Sequence, residues 1–426
     1  MEGFEVLSDK PRQSDLDKCV HCGLCLNSCP TYRELGVEMD SPRGRIYQMN
    51  QVAAGASITP SYVEHMELCL ACRGCESACP SGVQYGRLIE DARAEIETRR
   101  PRAAHVRWLR SFLFDTLLPS RTLLRLAALQ LAIYQKSGLQ KLMRATGILK
   151  ALGLAKLDEL SPDAQFPTFF SQYGKVFPAK GERRYKVALL GGCIANISFA
   201  RLNEATVRVL QANGCEVHVP DSQTCCGALA LHAGVRTTAR RLATQNVESL
   251  AGAGFDAIIT NAAGCGSTLK EYDHLLGTEA AGRFSAQVKD INEFLASIEM
   301  TPPEKPVKMR VTYQDSCHLA HGQKVRTAPR KLLNAIPGLT LVEMTGSDIC
   351  CGSAGIYNIV QNEMAMALLD KKMTSVAETS ADAIATANPG CMIQLAAGVK
   401  IHKTGQPVYH VVELLDRAYG GAREVA

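Results

Sequence analysis

The sequence is short of aromatic residues, of net charge and of long apolar runs. Its 426 residues include one tryptophan and 6% aromatic residues in all, which argues against base-stacking platforms for single-stranded nucleic acid. The formal net charge of +5 is too small to indicate a nucleic-acid partner. No apolar stretch approaches the roughly 20 residues that cross a bilayer, and the acidic N-terminus lacks a secretory signal pattern. We therefore expect a cytoplasmic protein, either free or peripheral on the cytoplasmic face of the inner membrane.

Cysteine is the residue that the sequence has in quantity. There are 17 cysteines, and because this number is odd, complete disulfide pairing within the chain is excluded. Thiols stay reduced in the cytosol, so clustered cysteines in that compartment indicate metal or redox chemistry.

Eight of the cysteines form one motif twice. The pattern C-x2-C-x2-C-x3-C-P occurs first at residues 19–30 and again, with identical spacing, fifty residues later at 69–80. This is the run of two-cluster ferredoxins, in which the fourth cysteine ligates the other cluster. We therefore predict two [4Fe–4S] clusters. The first set of ligands is Cys19, Cys22, Cys25 and Cys79, and the second set is Cys69, Cys72, Cys75 and Cys29.

Two zinc sites are the alternative for these eight cysteines, but three consecutive C-x2-C steps suit one tetrahedral ion poorly. Between the motifs, Ser41-Pro42 begins an expected amphipathic helix. Arg43, Arg45 and Arg73 are placed either beside the clusters, where they would balance negative charge, or on the solvated surface.

A segment without cysteine follows, and its leucine spacing predicts helices broken at Pro119 and Gly138. From Arg102 to Lys156 it holds ten Lys and Arg residues and one acid, Asp115. A basic amphipathic segment of this kind either lies on an anionic membrane surface or straps two domains together. We call it the connector, and both interpretations stay open.

The remaining chain repeats itself with a period of about 125 residues. In each repeat a predicted strand ends near a cysteine, a second strand leads to Cys-Cys-Gly, and a third ends near the last cysteine. The alternation of strands and helices predicts a small parallel sheet in each repeat. The matched cysteines are Cys193, Cys225, Cys226 and Cys265 in the first repeat, and Cys317, Cys350, Cys351 and Cys391 in the second.

Ligands of parallel sheets gather at the carboxyl ends of the strands, so each set of four cysteines is expected to converge on one spot. Helix N-termini after these cysteines are expected to lower the thiol pKa values. Three occupancies stay open: a cluster in each repeat, a cluster in one repeat, or a zinc ion. Buried structural cysteines are the remaining alternative. Cys215 has no counterpart and is expected to be a packed core thiol.

With these motifs in order, the sequence resembles the iron–sulfur subunit of bacterial glycolate oxidase from about Leu16 to Tyr419. The resemblance is carried by Cys19-Val-His-Cys-Gly-Leu-Cys25, Ser41-Pro-Arg-Gly-Arg-Ile-Tyr47, Cys350-Cys-Gly-Ser-Ala-Gly355 and Thr386-Ala-Asn-Pro-Gly-Cys391. It implies an electron-transfer subunit of an oxidoreductase, with no catalytic residue of its own for the substrate. Such a subunit takes electrons from FAD-binding partner subunits that oxidise glycolate to glyoxylate and passes them towards quinone or another membrane acceptor.

The sequence is more distantly similar to the corresponding subunits of anaerobic glycerol-3-phosphate dehydrogenase and of lactate utilisation, which leaves a D-lactate or glycerol-3-phosphate system as an alternative. The repeats also resemble the cysteine-rich subunit of heterodisulfide reductase, which makes a disulfide or quinone reductase a further alternative. They lack that family's closing C-x-x-C, since Gly266, Ser267 and Thr268 follow Cys265. A regulatory iron–sulfur sensor is the last alternative, although no basic recognition helix of a known type is present.

The expected fold is therefore multidomain α+β. We predict a helical two-cluster ferredoxin-type domain at 1–98, the connector and a linker at 99–180, and two α/β Cys-Cys-Gly repeats at 181–305 and 306–426.

Overall fold

The computed structural model describes residues 9–100 and 102–421. Residues 1–8, on which the expectation about a signal segment rests, lie outside the described part, as do residues 101 and 422–426. The fold is α+β and follows the predicted order: a helical N-terminal part, a helical connector, and two repeats built on parallel strands.

Short helices around the cysteine motifs form the N-terminal part. Ser41 begins the predicted helix, because its hydroxyl accepts a hydrogen bond from the Gly44 backbone N–H at 3.0 Å. Ile46, Met49 and Leu88 are buried in the core of this part. The helices are Gln13–Leu16, Pro30–Leu35, Pro42–Ala53, Pro60–Leu68, Gly74–Ser77 and Tyr85–Arg99, with single 3-10 turns at Leu26–Ser28 and Glu38–Asp40.

The connector is helical, and its breaks at Pro119 and Gly138 are confirmed. One helix turn ends at Leu117, and Gly138 takes a left-handed conformation before the next helix. The helices are Ala104–Ser111, Arg121–Lys136, Leu139–Ala145, Ile148–Ala151 and Ala155–Glu159, with a π-helical stretch at Phe112–Leu117. A 3-10 turn at Phe169–Gln172 leads into the first repeat.

Several connector arginines bind neighbouring parts of the molecule. Arg102 pairs with Glu67 of the N-terminal part, and Arg121 pairs with Asp221 of the first repeat at 2.8 Å. Arg110 donates to the Ala233 carbonyl at 2.7 Å. One face of the connector therefore straps the domains together.

The first repeat contains five strands: β1 (Val176–Phe177), β2 (Tyr185–Leu189), β3 (Cys215–His218), β4 (Ala257–Thr260) and β5 (Val288–Asp290). They lie in the order β1-β3-β2-β4-β5, with β1 antiparallel to β3 and every other pair parallel. The helices are Ile194–Ser198, Ala200–Ala212, Ala228–His232, Arg236–Leu250, Ala263–Leu269, Tyr272–Leu276, Glu279–Gln287 and Ile291–Ser297.

The second repeat contains four parallel strands: β6 (Met309–Tyr313), β7 (Leu339–Val342), β8 (Ala383–Thr386) and β9 (Val408–His410), in the order β7-β6-β8-β9. Its centre repeats the register of the first sheet. Val187 lies between Val217 and Ala257, as Val311 lies between Leu341 and Ala383. The helices are Thr327–Asn334, Tyr357–Val360, Asn362–Glu378, Pro389–His402 and Val411–Ala418, with a π-helical turn at His318–Gly322.

The two repeats share one hydrophobic core. Leu189 and Val209 of the first repeat belong to the same buried cluster as Val311 and Leu415 of the second. Cys215 is fully buried in this cluster, and burial raises its pKa to about 12, as expected of a packed thiol. The two sheets therefore form one body.

Candidate functional site

The first ferredoxin set converges on one small cavity near the surface. Cys19, Cys22, Cys25 and Cys79 all line it, although Cys79 comes from the second motif. Cys22 is exposed and the other three are half-buried. Four cysteines around a common space are the donor set that a [4Fe–4S] cluster requires. The arrangement fits the predicted exchange of the fourth ligand between the motifs.

The second set lies deeper. Cys29, Cys69 and Cys75 are buried, and Cys72 is partly so. Burial raises the pKa of the Cys75 thiol, and the nearby thiols of the other three cysteines raise it further. The Tyr85 hydroxyl donates to the Cys69 Sγ at 3.7 Å. Cys29 therefore lies with the second motif, from which it is forty residues distant in sequence.

A buried arginine lies beside the second set. The Arg45 side chain is completely buried, and its guanidinium donates to the Asp40 carbonyl at 2.5 Å and to the Asp40 carboxylate at 3.2 Å. Sequence reasoning left Arg45 open as a surface residue. The helical spacing was an available signal, because Arg45, Met49 and Val52 share the buried face of their helix.

Arg73 is the second arginine that is buried in the structure, whereas the sequence left a surface position open for it. Its buried guanidinium pairs with Glu76 at 3.0 Å and with Glu271 of the first repeat at 2.9 Å. Arg43, by contrast, is 30% exposed and pairs with Glu38 at 2.7 Å. Of the three arginines, only Arg73 thus needs the tertiary structure to be placed.

Further hydrogen bonds hold the N-terminal part against the second repeat. His318 Nε2 donates to the Ala71 carbonyl at 2.9 Å, and the Tyr357 hydroxyl donates to the Leu68 carbonyl at 2.8 Å. At the same junction Cys72 packs against the buried cluster that contains Cys350, and burial together with the nearby Cys350 thiol raises the pKa of Cys72. The second ferredoxin set therefore lies next to a cysteine of the second repeat.

Each repeat set is a chain of neighbouring thiols in the same order. In the first repeat, Cys193 lies against Cys225, and the Cys226 and Cys265 Sγ atoms are 3.0 Å apart. In the second repeat, the Cys317 and Cys350 Sγ atoms are 4.0 Å apart, and Cys351 lies against Cys391. The predicted convergence at the carboxyl ends of the strands is what the structure shows.

At Cys193 the backbone N–H of Ile194, at the start of the helix, lowers the thiol pKa as expected, but other causes outweigh this effect. Hydrogen bonding to the neighbouring thiol, together with burial, raises the pKa of Cys193 and of Cys391 well above its usual value. Cys265 and Cys391 also lie inside their helices, which begin at Ala263 and Pro389. Crowded, buried sulfurs disfavour a negative charge more than a short helix favours it.

Both repeat sets face one shared cavity of 310 Å³, which all eight of their cysteines line together with Cys69 of the N-terminal part. His232 and His318 line it too. His232 pairs with Glu90 at 2.8 Å, and the Nδ1 of His318 is buried without a hydrogen-bond partner among the described residues. His218 and His321, which also lie near the cysteines in sequence, bond to Glu216 and to the Asp348 carbonyl.

The spacing of the thiols bears on the zinc alternative. Within residues 9–100 and 102–421, no three or more His, Cys, Asp or Glu side chains are gathered as they would be around a metal ion. The first ferredoxin set and both repeat sets each present four thiols to a cavity, and four thiols are a donor set for a [4Fe–4S] cluster as well as for a zinc ion. The occupancies that the sequence allows therefore stay open at the repeats.

The glycine of each Cys-Cys-Gly adopts a left-handed backbone, with φ of 77° at Gly227 and 90° at Gly352. A Cβ on Gly352 would lie 2.5 Å from the Ala365 carbonyl oxygen, whereas one on Gly227 would lie 3.3 Å from the Ala239 Cα. We expect Gly352→Ala to lower the free energy of unfolding by about 2–4 kcal/mol and to reduce the number of irons that the chain retains. Gly227→Ala should have a smaller effect on both quantities. Thermal unfolding and iron analysis of both variants check this, and equal effects would contradict it.

Parts of the chain match three known protein families. The geometry defines an iron–sulfur protein, and residues 15–83 match a family of 4Fe-4S dicluster domains. Residues 187–270 and 311–396 match the cysteine-rich domain family, and residues 105–161 match the linker region of the glycolate oxidase iron-sulfur subunit.

Full-length relatives point the same way. The probable glycolate oxidase iron-sulfur subunit of Bacillus subtilis is 40% identical over 96% of this chain and 95% of its own length. The glycolate oxidase iron-sulfur subunit of Escherichia coli is 31% identical over 95% of this chain and 94% of its own length. A fumarate reductase (CoM/CoB) subunit from Methanothermobacter marburgensis is 31% identical over 94% of this chain and 72% of its own length. The chain belongs to the family of glycolate oxidase iron-sulfur subunits.

Proposed function

We propose that this chain carries electrons from FAD-binding partner subunits, which oxidise glycolate to glyoxylate, towards quinone. Its own residues supply thiolate ligands and a protein path between them, and no residue of the chain acts on the carbon substrate. Support comes from the relatives named as glycolate oxidase subunits and from the matching linker region.

The observation that carries this proposal is the unbroken series of cysteine sets. The first set lies near the surface, where the exposed Val20 and Leu24 flank its cavity and offer a partner access. The second set is buried behind it, and Cys72 of that set packs against the buried cluster that contains Cys350. Electrons therefore enter at the first set, pass through the second, and leave from the shared cavity.

The ligand assignments and domain limits given above belong to this proposal. Cys19, Cys22, Cys25 and Cys79 hold one cluster, and the second set holds the other. The repeat sets hold one or two further clusters, for which the thiol chains of both repeats supply four donors each.

Iron analysis of the purified chain tests the occupancy of the sites. Two [4Fe–4S] clusters contain eight irons, and we expect about twelve to sixteen irons per chain because the repeat sets also converge. The matched pair is Cys225→Ser/Cys226→Ser and Cys350→Ser/Cys351→Ser, and the double variant of each repeat that holds a cluster should lower the count by about four. A wild-type value near eight would confine the iron to the ferredoxin-type sites, and equimolar zinc would contradict a cluster in the repeats.

The substrate is tested on the chain purified with its partner subunits. We expect glycolate to reduce the clusters in the complex and to leave the isolated chain oxidised. D-lactate and glycerol 3-phosphate are assayed in parallel, because lactate utilization protein A of Geobacillus kaustophilus is 30% identical over 54% of this chain and 98% of its own length. Reduction of the isolated chain by glycolate would contradict the electron-transfer role.

A further inference from the structure

The outer face of the connector exposes more large apolar side chains than any other part of the described chain. Twelve of the 23 exposed large hydrophobic residues within residues 9–100 and 102–421 fall between Trp108 and Leu157. They are Trp108, Leu109, Phe112, Leu126, Leu129, Ile133, Leu139, Leu142, Ile148, Leu152, Leu154 and Leu157. An exposed apolar surface of this extent marks an interaction site.

This face is distinct from the face that straps the domains. In the helix Arg121–Lys136, the buried residues Leu124, Ala128 and Ala132 lie on one side. Leu126 and Ile133 lie on the opposite side and Leu129 lies on the flank next to them, because each residue advances the helix by about 100°. The helix thus exposes apolar residues, while within the described part of the chain its inner side packs against the rest of the protein.

Unpaired cations accompany the exposed apolar residues. Arg107, Lys136, Lys141, Lys150 and Lys156 are exposed and have no ion-pair partner among the described residues. Acidic residues of the segment neutralise little of this positive charge. Asp158 is buried and holds Arg144 at 2.5 Å, and Asp115 is bound by Thr238, which leaves Glu159 as an exposed acid at the end of the segment.

We propose that this outer face binds the surface of an anionic membrane. Apolar side chains that insert to shallow depth, surrounded by lysines that meet anionic headgroups, are the pattern of an interfacial membrane-binding helix. Among the described residues, none of the helices combines the length and the hydrophobicity that crossing a bilayer requires. The exposed Trp108, whose ring stacks on Phe112 at 5.8 Å, suits the headgroup level.

The position of this face connects membrane binding to the delivery of electrons to quinone. This one step rests on the function proposed above. Arg102 and Arg110 of the connector line the shared cavity of the repeat cysteines. Arg110 faces inward from the same helix that exposes Trp108 outward, so a membrane bound at the outer face is separated from that cavity by one helix diameter, roughly 10–12 Å. At that distance a quinone dissolved in the bilayer would be reduced by two electrons and two protons to the quinol. The electrons come from the partner subunits through the clusters, and the protons come from water.

The single tryptophan makes the test direct, because Trp108 lies on the proposed surface and the sequence has no other. The full chain is mixed with vesicles of phosphatidylcholine alone or with about one third phosphatidylglycerol. We expect co-sedimentation with the anionic vesicles and a blue shift of Trp108 emission. The variant Lys136→Glu/Lys141→Glu/Lys150→Glu should bind about tenfold or more weakly.

The matched control is Lys180→Glu/Lys308→Glu/Lys400→Glu, which changes the net charge equally at exposed lysines elsewhere. An equal loss in both variants would overturn the proposal, since it would reflect total charge alone. So would a Trp108 shift produced by the flavoprotein partner and not by vesicles, which would make this face a protein interface. Glycolate oxidation by the wild-type complex with a water-soluble acceptor, measured without vesicles, tests the proposed function separately.

Discussion

Replacing Cys29 by serine is expected to remove the cluster of the second set and leave the cluster of the first set in place. The reason is spatial: Cys29 belongs to the first motif but lies with Cys69, Cys72 and Cys75. We expect a loss of about four irons per chain and of nearly all electron transfer from glycolate, because the second set joins the first to the repeats. Electron paramagnetic resonance of the reduced protein distinguishes the two clusters.

Cys79→Ser is the reciprocal variant, and it should remove the cluster of the first set instead. Cys215→Ser serves as the control, since this buried thiol lies in the hydrophobic core shared by the repeats and should leave the iron count unchanged. If Cys29→Ser abolished the signal of the Cys19 set and kept that of the Cys69 set, each motif would serve its own cluster and the assignment would be wrong.

Arg45→Met is expected to destabilise the N-terminal part by about 3–5 kcal/mol, because it leaves the buried Asp40 carboxylate without its arginine partner. The guanidinium also holds the Asp40 carbonyl, so a loop next to Cys29 loses its anchor. The measurement is the apparent midpoint of chemical denaturation of the full chain, followed by circular dichroism and by the visible absorbance of the clusters.

Arg43→Met is the matched control on the same helix. Arg43 and Glu38 are 30% and 43% exposed, so their ion pair is screened by water and its loss should cost less than about 1 kcal/mol. If both variants unfolded at the same denaturant concentration as the wild type, the buried pair at Arg45 would contribute nothing to stability.

Local patterns predicted much of this protein. The cysteine spacing was enough to propose which residues meet, because two identical motifs impose the same loop twice. The strands β2, β3, β4, β6, β7 and β8 were also predicted, since each is a short apolar run before a cysteine or a Cys-Cys-Gly. The strands β1, β5 and β9 were missed, because each has only two or three residues and is too short to show the alternation of apolar and polar residues that marks a strand.

Features that depend on contacts between distant segments were not predictable. The core shared by the two sheets, the burial of Arg73 against Glu271 and the packing of Cys72 against the cluster of Cys350 all join residues far apart in the chain. The net rise in the pKa of Cys193 and Cys391 was not predictable for the same reason: the sequence shows the helix that follows a cysteine and not the sulfurs that surround it.

The junction between the N-terminal part and the second repeat has a kinetic consequence. Since His318 and Tyr357 bind carbonyls of the segment that carries Cys69 and Cys72, the two halves need no diffusional encounter to exchange an electron. Separate ferredoxins must find their acceptor by collision, at rates that fall with viscosity and change with salt. On the proposed path collision is confined to the outer ends, and the middle step proceeds at a separation fixed when the protein folds.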